Sequence, residues 1–243
     1  MTDLQAILDA GGPWQQARII GDQLLIQGDC LDVMAVLPKV CAVVTDPPYG
    51  INYSGQAQSV KRNGAKGLWR IHHEEKGWDK QTPSQDVFKE ILEGSDAAII
   101  WGGNYFADAL PATRGWLVWY KAQTGLSMSD AELAWSNIDM VCRLNNLHRG
   151  ALWREGPQHP TQKPIALMEW CLGFLPDART ILDPFAGSFT TAVACQRLGR
   201  QSISIELDAD YYAIGCKRVQ EVVNNPPLFK PDIPKPKQEV LEL

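Results

Sequence analysis

The chain has 243 residues, 45% of them apolar and 21% charged, with a formal net charge of −5: room for one generous hydrophobic core and little for a second. That acidic balance excludes a small basic protein coating nucleic acid through surplus Lys and Arg, and no apolar run reaches the roughly 18 residues of a membrane span. Six cysteines without a CxxC pair suggest neither a disulfide framework nor a metal site, and the opening MTDLQAILDAGG lacks a signal-peptide pattern, so a reducing, cytoplasmic setting is expected.

Taken in chain order, short apolar runs alternate with helical spacing, the rhythm of an α/β protein built on a mostly parallel sheet with helices on both faces. Strands are predicted at 24–29, 42–46, 97–103, 115–121, 132–136, 180–185 and 202–207, continuous enough in apolar character to be buried on both sides. Helices are predicted at 31–37, 87–94, 165–175, 190–198 and 208–223, the last two with Arg197, Lys217 and Arg218 toward their C-terminal turns. Trp101, Trp116, Trp119 and Trp135 fall in predicted strands and read as packing residues. Residues 51–80 form a polar insertion without period, and the Pro-rich stretch from Asn225 cannot continue the last helix. A single domain over 1–224 with a tail over 225–243 follows.

Two stretches carry chemistry. Thr45-Asp46-Pro47-Pro48-Tyr49-Gly50 directly follows an apolar strand. Consecutive prolines remove two backbone donors and fix φ, so the turn is rigid and its carbonyls are aimed. A carboxylate before it and an aromatic after it supply two acceptors and a stacking face, which an exocyclic amine on a flat heterocycle requires; a plain Pro-Pro turn closing a strand is the bland alternative. Leu182-Asp183-Pro184-Phe185-Ala186-Gly187-Ser188 runs from a buried strand into a turn of small residues at a helix start, where a ligand can approach the backbone. The next strand ends at Glu206, about 20 residues on, where an acid bonds ribose hydroxyls in nucleotide-binding units. Charge is unevenly spread: Lys61, Arg62, Lys66 and Arg70 share one acid-free stretch, and Arg143 and Arg149 share another with Asn145 and Asn146, whose amides can pair with adenine edges.

With these residues in view, the chain resembles the amino-methylating DNA methyltransferases, which modify adenine N6 or cytosine N4. Asp46 to Tyr49 looks like their catalytic motif and Asp183 to Ser188 like their cofactor loop. His159-Pro160-Thr161-Gln162-Lys163-Pro164 matches the element preceding that loop, and Gly28-Asp29-Cys30 is similar to their N-terminal acid site. The catalytic motif comes first, as in the β group, and the resemblance covers roughly residues 24–223.

The resemblance implies a Rossmann-like S-adenosylmethionine-dependent methyltransferase fold, with one antiparallel strand near the edge. S-adenosylmethionine would lie at the strand ends against Asp183, Pro184, Phe185, Gly187 and Ser188, with Glu206 on its ribose, Asp29 and Cys30 at its adenine, and Lys163 with Thr161 at its methionine end beside Asp46. Asp46 and the Pro47 carbonyl would accept the N–H bonds of the target amine, Pro48 would complete the rigid turn, and Tyr49 would stack on a base flipped out of double-stranded DNA. His159 reads as a turn residue. No cysteine follows a proline, which sets C5-cytosine chemistry aside, and Asp at position 46 leans toward adenine N6 over cytosine N4.

The insertion 51–80 is expected to contact DNA, with Lys61, Arg62, Lys66 and Arg70 on phosphates, and the interval 137–158 to act as a short recognition loop. Short or degenerate specificity follows, a homodimer fits, and nothing in the chain points to a partner nuclease; a restriction–modification, orphan or phage role is equally compatible. Phe189 stands where the family usually has a second glycine. A ring turned into the cofactor site there would give a weak or inactive DNA-binding relative. An RNA or protein amide methyltransferase is the other rival, disfavoured by motif order and by Asp46.

Overall fold

The computed structural model describes residues 2–51, 79–122, 129–148, 150 and 162–227. Among these, nine strands form one sheet: β1 (Gln16–Ile20), β2 (Gln23–Gln27), β3 (Val40–Thr45), β4 (Ser95–Trp101), β5 (Gly115–Tyr120), β6 (Ala131–Ser136), β7 (Arg143–Asn146), β8 (Thr180–Asp183) and β9 (Gln201–Glu206). Their spatial order is β1-β2-β9-β8-β3-β4-β6-β5-β7. The central run β2, β9, β8, β3 and β4 is parallel throughout.

The helices are α1 (Leu4–Ala10), α2 (Cys30–Met34), α3 (Gln85–Glu93), α4 (Ile165–Gly173), α5 (Thr190–Leu198) and α6 (Ala209–Asn224). Asp3, Asp29 and Asp208 start α1, α2 and α6 by accepting hydrogen bonds from backbone amides of the first turn. Val43, Ala98 and Ile100 pack in one cluster with Val33 of α2 and with Phe88 and Ile91 of α3. Their strand neighbours Ala42, Val44, Ile99 and Trp101 pack in another with Leu167, Met168, Cys171 and Leu172 of α4. Since side chains alternate along a strand, the two clusters lie on opposite faces, which is why these strands show no polar alternation in sequence. Trp101, Trp119 and Trp135 are buried, and Trp116 packs against the first cluster.

The sheet departs from the expected single antiparallel strand in two places. A hairpin adds β1 antiparallel to β2 at one edge. At the other end β6 lies between β4 and β5, antiparallel to both: β5 and β6 pair as neighbours in sequence, and the fully buried Ala134 lets β6 fit beside β4. The interval read as a recognition loop is, over Arg143–Asn146, the outermost strand β7, parallel to β5. No helix among the described residues is long and apolar enough to cross a membrane.

Candidate active site at the C-terminal ends of β3 and β8

Parallel pairing places the ends of β3 and β8 side by side, with Val43 opposite Leu182. Both chemically loaded turns therefore leave the sheet at one point, the usual ligand position of an open α/β sheet. They are joined directly: the buried Thr45 Oγ1 donates to Asp183 Oδ1 at 2.7 Å, and the Phe185 amide donates to the same oxygen at 3.2 Å. Burial pushes the Asp183 carboxyl up to about 6 despite those donors, and the nearby Asp46 charge adds to the rise. A cleft lined by Asp46, Gln162, Lys163, Asp183, Phe185 and Gly187 unites residues of both motifs.

In the Pro-Pro turn, Tyr49 Oη donates to Asp46 Oδ1 at 2.6 Å, and Lys163 Nζ sits 2.5 Å from Asp46 Oδ2 and 3.2 Å from Tyr49 Oη. Pro47 is buried. Gly50, at φ 70°, donates its amide to Asp79 Oδ1 at 2.9 Å and closes the turn. The Tyr49 ring stacks on Tyr105 at 4.8 Å and 12°. It also lies against Gly102, where a Cβ would sit 2.1 Å from the ring, so only glycine fits there. The lysine expected at the methionine end of a cofactor is thus bonded to Asp46.

Lys163 has a second acid. Its Nζ is 3.1 Å from Glu132 Oε2, while Lys121 Nζ is 2.6 Å from Glu132 Oε1. The two carboxylates respond in opposite directions. Burial pushes Glu132 up, but two lysines outweigh it and hold the group down at about 2. Asp46 shares a single lysine, and burial together with the Glu132 charge leaves it raised.

The remaining cofactor-loop residues gather around Glu206. Its Oε2 accepts from the Gly187 amide and its Oε1 from the Asp208 amide, each at 2.8 Å. Burial raises it to about 7. Gln27 lies opposite Glu206 in the β2–β9 pairing, which brings Asp29 and Cys30 to the same sheet end. Asp29 Oδ1 caps α2 through Leu31 N and Asp32 N. The Cys30 thiol is pushed up to about 12 by burial and by the charges of Asp29 and Glu206, which disfavours the thiolate. Pro184 is buried behind the loop. Ser188 Oγ donates to Gln162 Oε1 at 2.9 Å, and Arg218 Nη1 bonds Ser188 O, Ser188 Oγ (2.8 Å) and Thr190 Oγ1 (3.2 Å).

Phe189 does not enter the cleft. Its backbone is left-handed at φ 61°, a conformation that suits the glycine usual at this position. The ring is fully buried away from the cleft, edge-on to Tyr212 at 5.9 Å. It fits because Gly215 of α6 has no side chain; a Cβ there would lie 2.5 Å from the ring. The ring therefore stays out of the cleft because the space beside Gly215 receives it.

Arg143, Asn145 and Asn146 lie on β7, separated from β3 by three strands and so by roughly 19 Å at ordinary strand spacing; the fold does not bring them to the cleft. Lys61, Arg62, Lys66, Arg70, Arg149, His159 and Thr161 lie outside the described residues. The sequence reading passed over Glu132, Lys121 and Tyr105. A signal existed for the first two: an acid and a base in otherwise apolar strands must be paired once buried.

Residues 70–217 match the family model N6_N4_Mtase, described as DNA methylase. The type II methyltransferase M2.MboI of Moraxella bovis is 23% identical over 248 residues, covering 82% of this chain and 88% of that protein. The DNA adenine methyltransferase YhdJ of Escherichia coli (strain K12) is 42% identical over 69 residues, 28% of this chain and 24% of that protein. Among solved structures, the cytosine-N4-specific PvuII DNA methyltransferase superposes with a TM-score of 0.54 at 14% identity, covering 87% of this chain and 94% of that chain.

Proposed function

Because the chain belongs to the N6/N4 DNA methylase family, which uses S-adenosylmethionine, we propose that it methylates the N6 amine of an adenine flipped out of double-stranded DNA, with Asp46 activating the amine. The observation that carries this reading is the Asp46 carboxylate. It is held at the mouth of the cleft on a Pro-Pro turn, with each oxygen already accepting from a donor, Tyr49 Oη or Lys163 Nζ.

A ring-conjugated amine is a poor nucleophile, because its lone pair is delocalised. Asp46 draws on one N–H bond and the Pro47 carbonyl on the other, pulling the nitrogen toward tetrahedral geometry. Pro48 has no N–H. The raised Asp46 carboxyl suits acceptance of the proton that the nitrogen sheds. S-adenosylmethionine supplies an electrophilic methyl group on a sulfonium. The residues fit such a group: the Asp183 and Glu206 carboxyls flank the loop, and Ala186 and Gly187 leave the backbone open to a ligand. Positioning and electrostatics carry the rate, without a covalent enzyme intermediate.

Adenine is favoured by the aspartate at position 46 and by the stretch shared with a relative named as an adenine methyltransferase. Lys61, Arg62, Lys66, Arg70 and Arg149 are assigned to phosphate contacts. Nucleoside mass spectrometry of DNA from methylation-free cells tests the reading. N6-methyladenine with the wild type and none with Asp46→Asn is expected. N4-methylcytosine would overturn the choice of base, and no methylated base from a protein that binds S-adenosylmethionine would overturn the activity.

A further inference from the structure

An incoming amine competes for Asp46 with the donors already on it. Each carboxylate oxygen already accepts one of them, and the stronger competitor is Lys163, whose side chain is only 4% exposed and so is shielded from solvent. The fold supplies a second seat. Glu132 Oε2 stands 3.1 Å from Lys163 Nζ, on β6, the strand inserted antiparallel beside β4. Lys121, at the end of β5, holds the other oxygen of Glu132 at 2.6 Å, so Glu132 cannot follow Lys163 toward Asp46. Asp46, Lys163, Glu132 and Lys121 form one neutral buried chain. Loss of either carboxylate would strand an ammonium, the arrangement proteins tolerate least.

We propose that Glu132 is a positioning residue that takes over the Lys163 ammonium when the target amine claims Asp46. The proposal rests on the role given to Asp46 above. The shift is a tightening of an existing contact, with no rearrangement of the chain. Without Glu132, Asp46 is the one carboxylate left to Lys163 among the described residues, and the amine must compete with a complete ion pair.

A signature follows that packing alone would not produce. The charges facing Asp46 are Lys163 ahead of α4, Glu132 on β6, Asp183 at the end of β8 and the Tyr49 hydroxyl of its own turn. Replacing Glu132 by glutamine removes a like charge, so Asp46 ionises more readily. The acid limb of the rate profile then moves to lower pH while the plateau falls.

The test is single-turnover methylation of unmethylated duplex DNA by the full chain, at saturating S-adenosylmethionine, across mildly acidic to neutral pH. Glu132→Gln is expected to slow the plateau about tenfold or more, the scale of one charge-assisted contact, to shift the acid limb downward, and to leave cofactor affinity unchanged. In a Lys163→Met background the same change adds no further loss, since Glu132 acts through Lys163. Should Glu132→Gln fail to fold, Glu132→Gln with Lys121→Met removes a neutral pair and must give the same slowing and shift. An unmoved acid limb, a plateau within roughly twofold of wild type, or an equal loss in the Lys163→Met background overturns the proposal while the activity stands. No methyl transfer by the wild type overturns the functional reading and this proposal with it.

Discussion

Gly215→Ala tests the packing that keeps Phe189 out of the cleft. The new methyl would lie 2.5 Å from Phe189 Cγ and Cδ2, about 1 Å inside normal carbon contact. The ring cannot easily yield: it is fully buried against Tyr212 and anchored by a left-handed backbone. Alanine gains about 1 kcal/mol of helix propensity, whereas overpacking of this kind costs about 1–3 kcal/mol. A clash this close belongs at the upper end, leaving a net loss of about 1–2 kcal/mol in urea unfolding. Phe189→Gly empties the same space at about 3–5 kcal/mol, offset by about 1–2 kcal/mol of relieved left-handed strain. In that background Gly215→Ala changes sign and stabilises, because its methyl enters the vacated volume. Equal effects of Gly215→Ala in both backgrounds would refute the reasoning. So would a large gain in S-adenosylmethionine affinity in folded Phe189→Gly, since that would put the ring in the cleft.

Three further outcomes follow. Asp183 and Glu206 are raised to about 6 and about 7, above ordinary carboxylate values. Their favourable share of stability is therefore present in full below the ordinary carboxylate range and lost as pH rises through those values, on the order of 3 kcal/mol each. Denaturant midpoints of the cofactor-free protein should fall between mildly acidic and slightly alkaline pH, with a shallower slope in Glu206→Gln; the same slope in that variant would contradict the assignment. Thr45→Val removes the hydroxyl donor from a buried carboxylate and should cost about 1–3 kcal/mol, read as a lower Tm; an unchanged Tm would contradict it. Arg218→Met frees the Ser188 turn and should weaken S-adenosylmethionine binding by roughly threefold to tenfold with little change in saturated turnover, whereas a fall in turnover alone would place Arg218 elsewhere in the reaction.

The Asp46–Tyr49 turn and the Asp183–Ser188 loop were legible as turns at strand ends because their signals are local: a strand end followed by residues that only a turn accepts. All seven predicted strands are present, displaced by a residue or two at their ends, since continuous apolar runs mark strands buried on both faces. The hairpin strand β1 was missed because Gln16–Ile20 has a half-exposed, mixed face. Strand β7 was missed because Arg143–Asn146 is polar and gains its form only by pairing with β5. The insertion of β6 beside β4 is a long-range choice that no local pattern encodes, and it alone brings Glu132 to Lys163. The direction of the Phe189 ring was open in the sequence for a related reason: it depends on Gly215, in a different helix.

Thr45 and Asp183 stand 138 positions apart along the chain and touch across one interstrand gap. The spacing between the turn proposed to activate the amine and the loop proposed to hold the methyl donor is therefore a property of backbone pairing, near 4.8 Å per strand, and is not set by the segments that connect them. Those segments can lengthen, shorten or acquire new recognition surfaces without disturbing the reacting geometry. A site built this way separates two evolutionary problems: what the protein reads on DNA is free to drift, while the chemistry stays locked in the sheet.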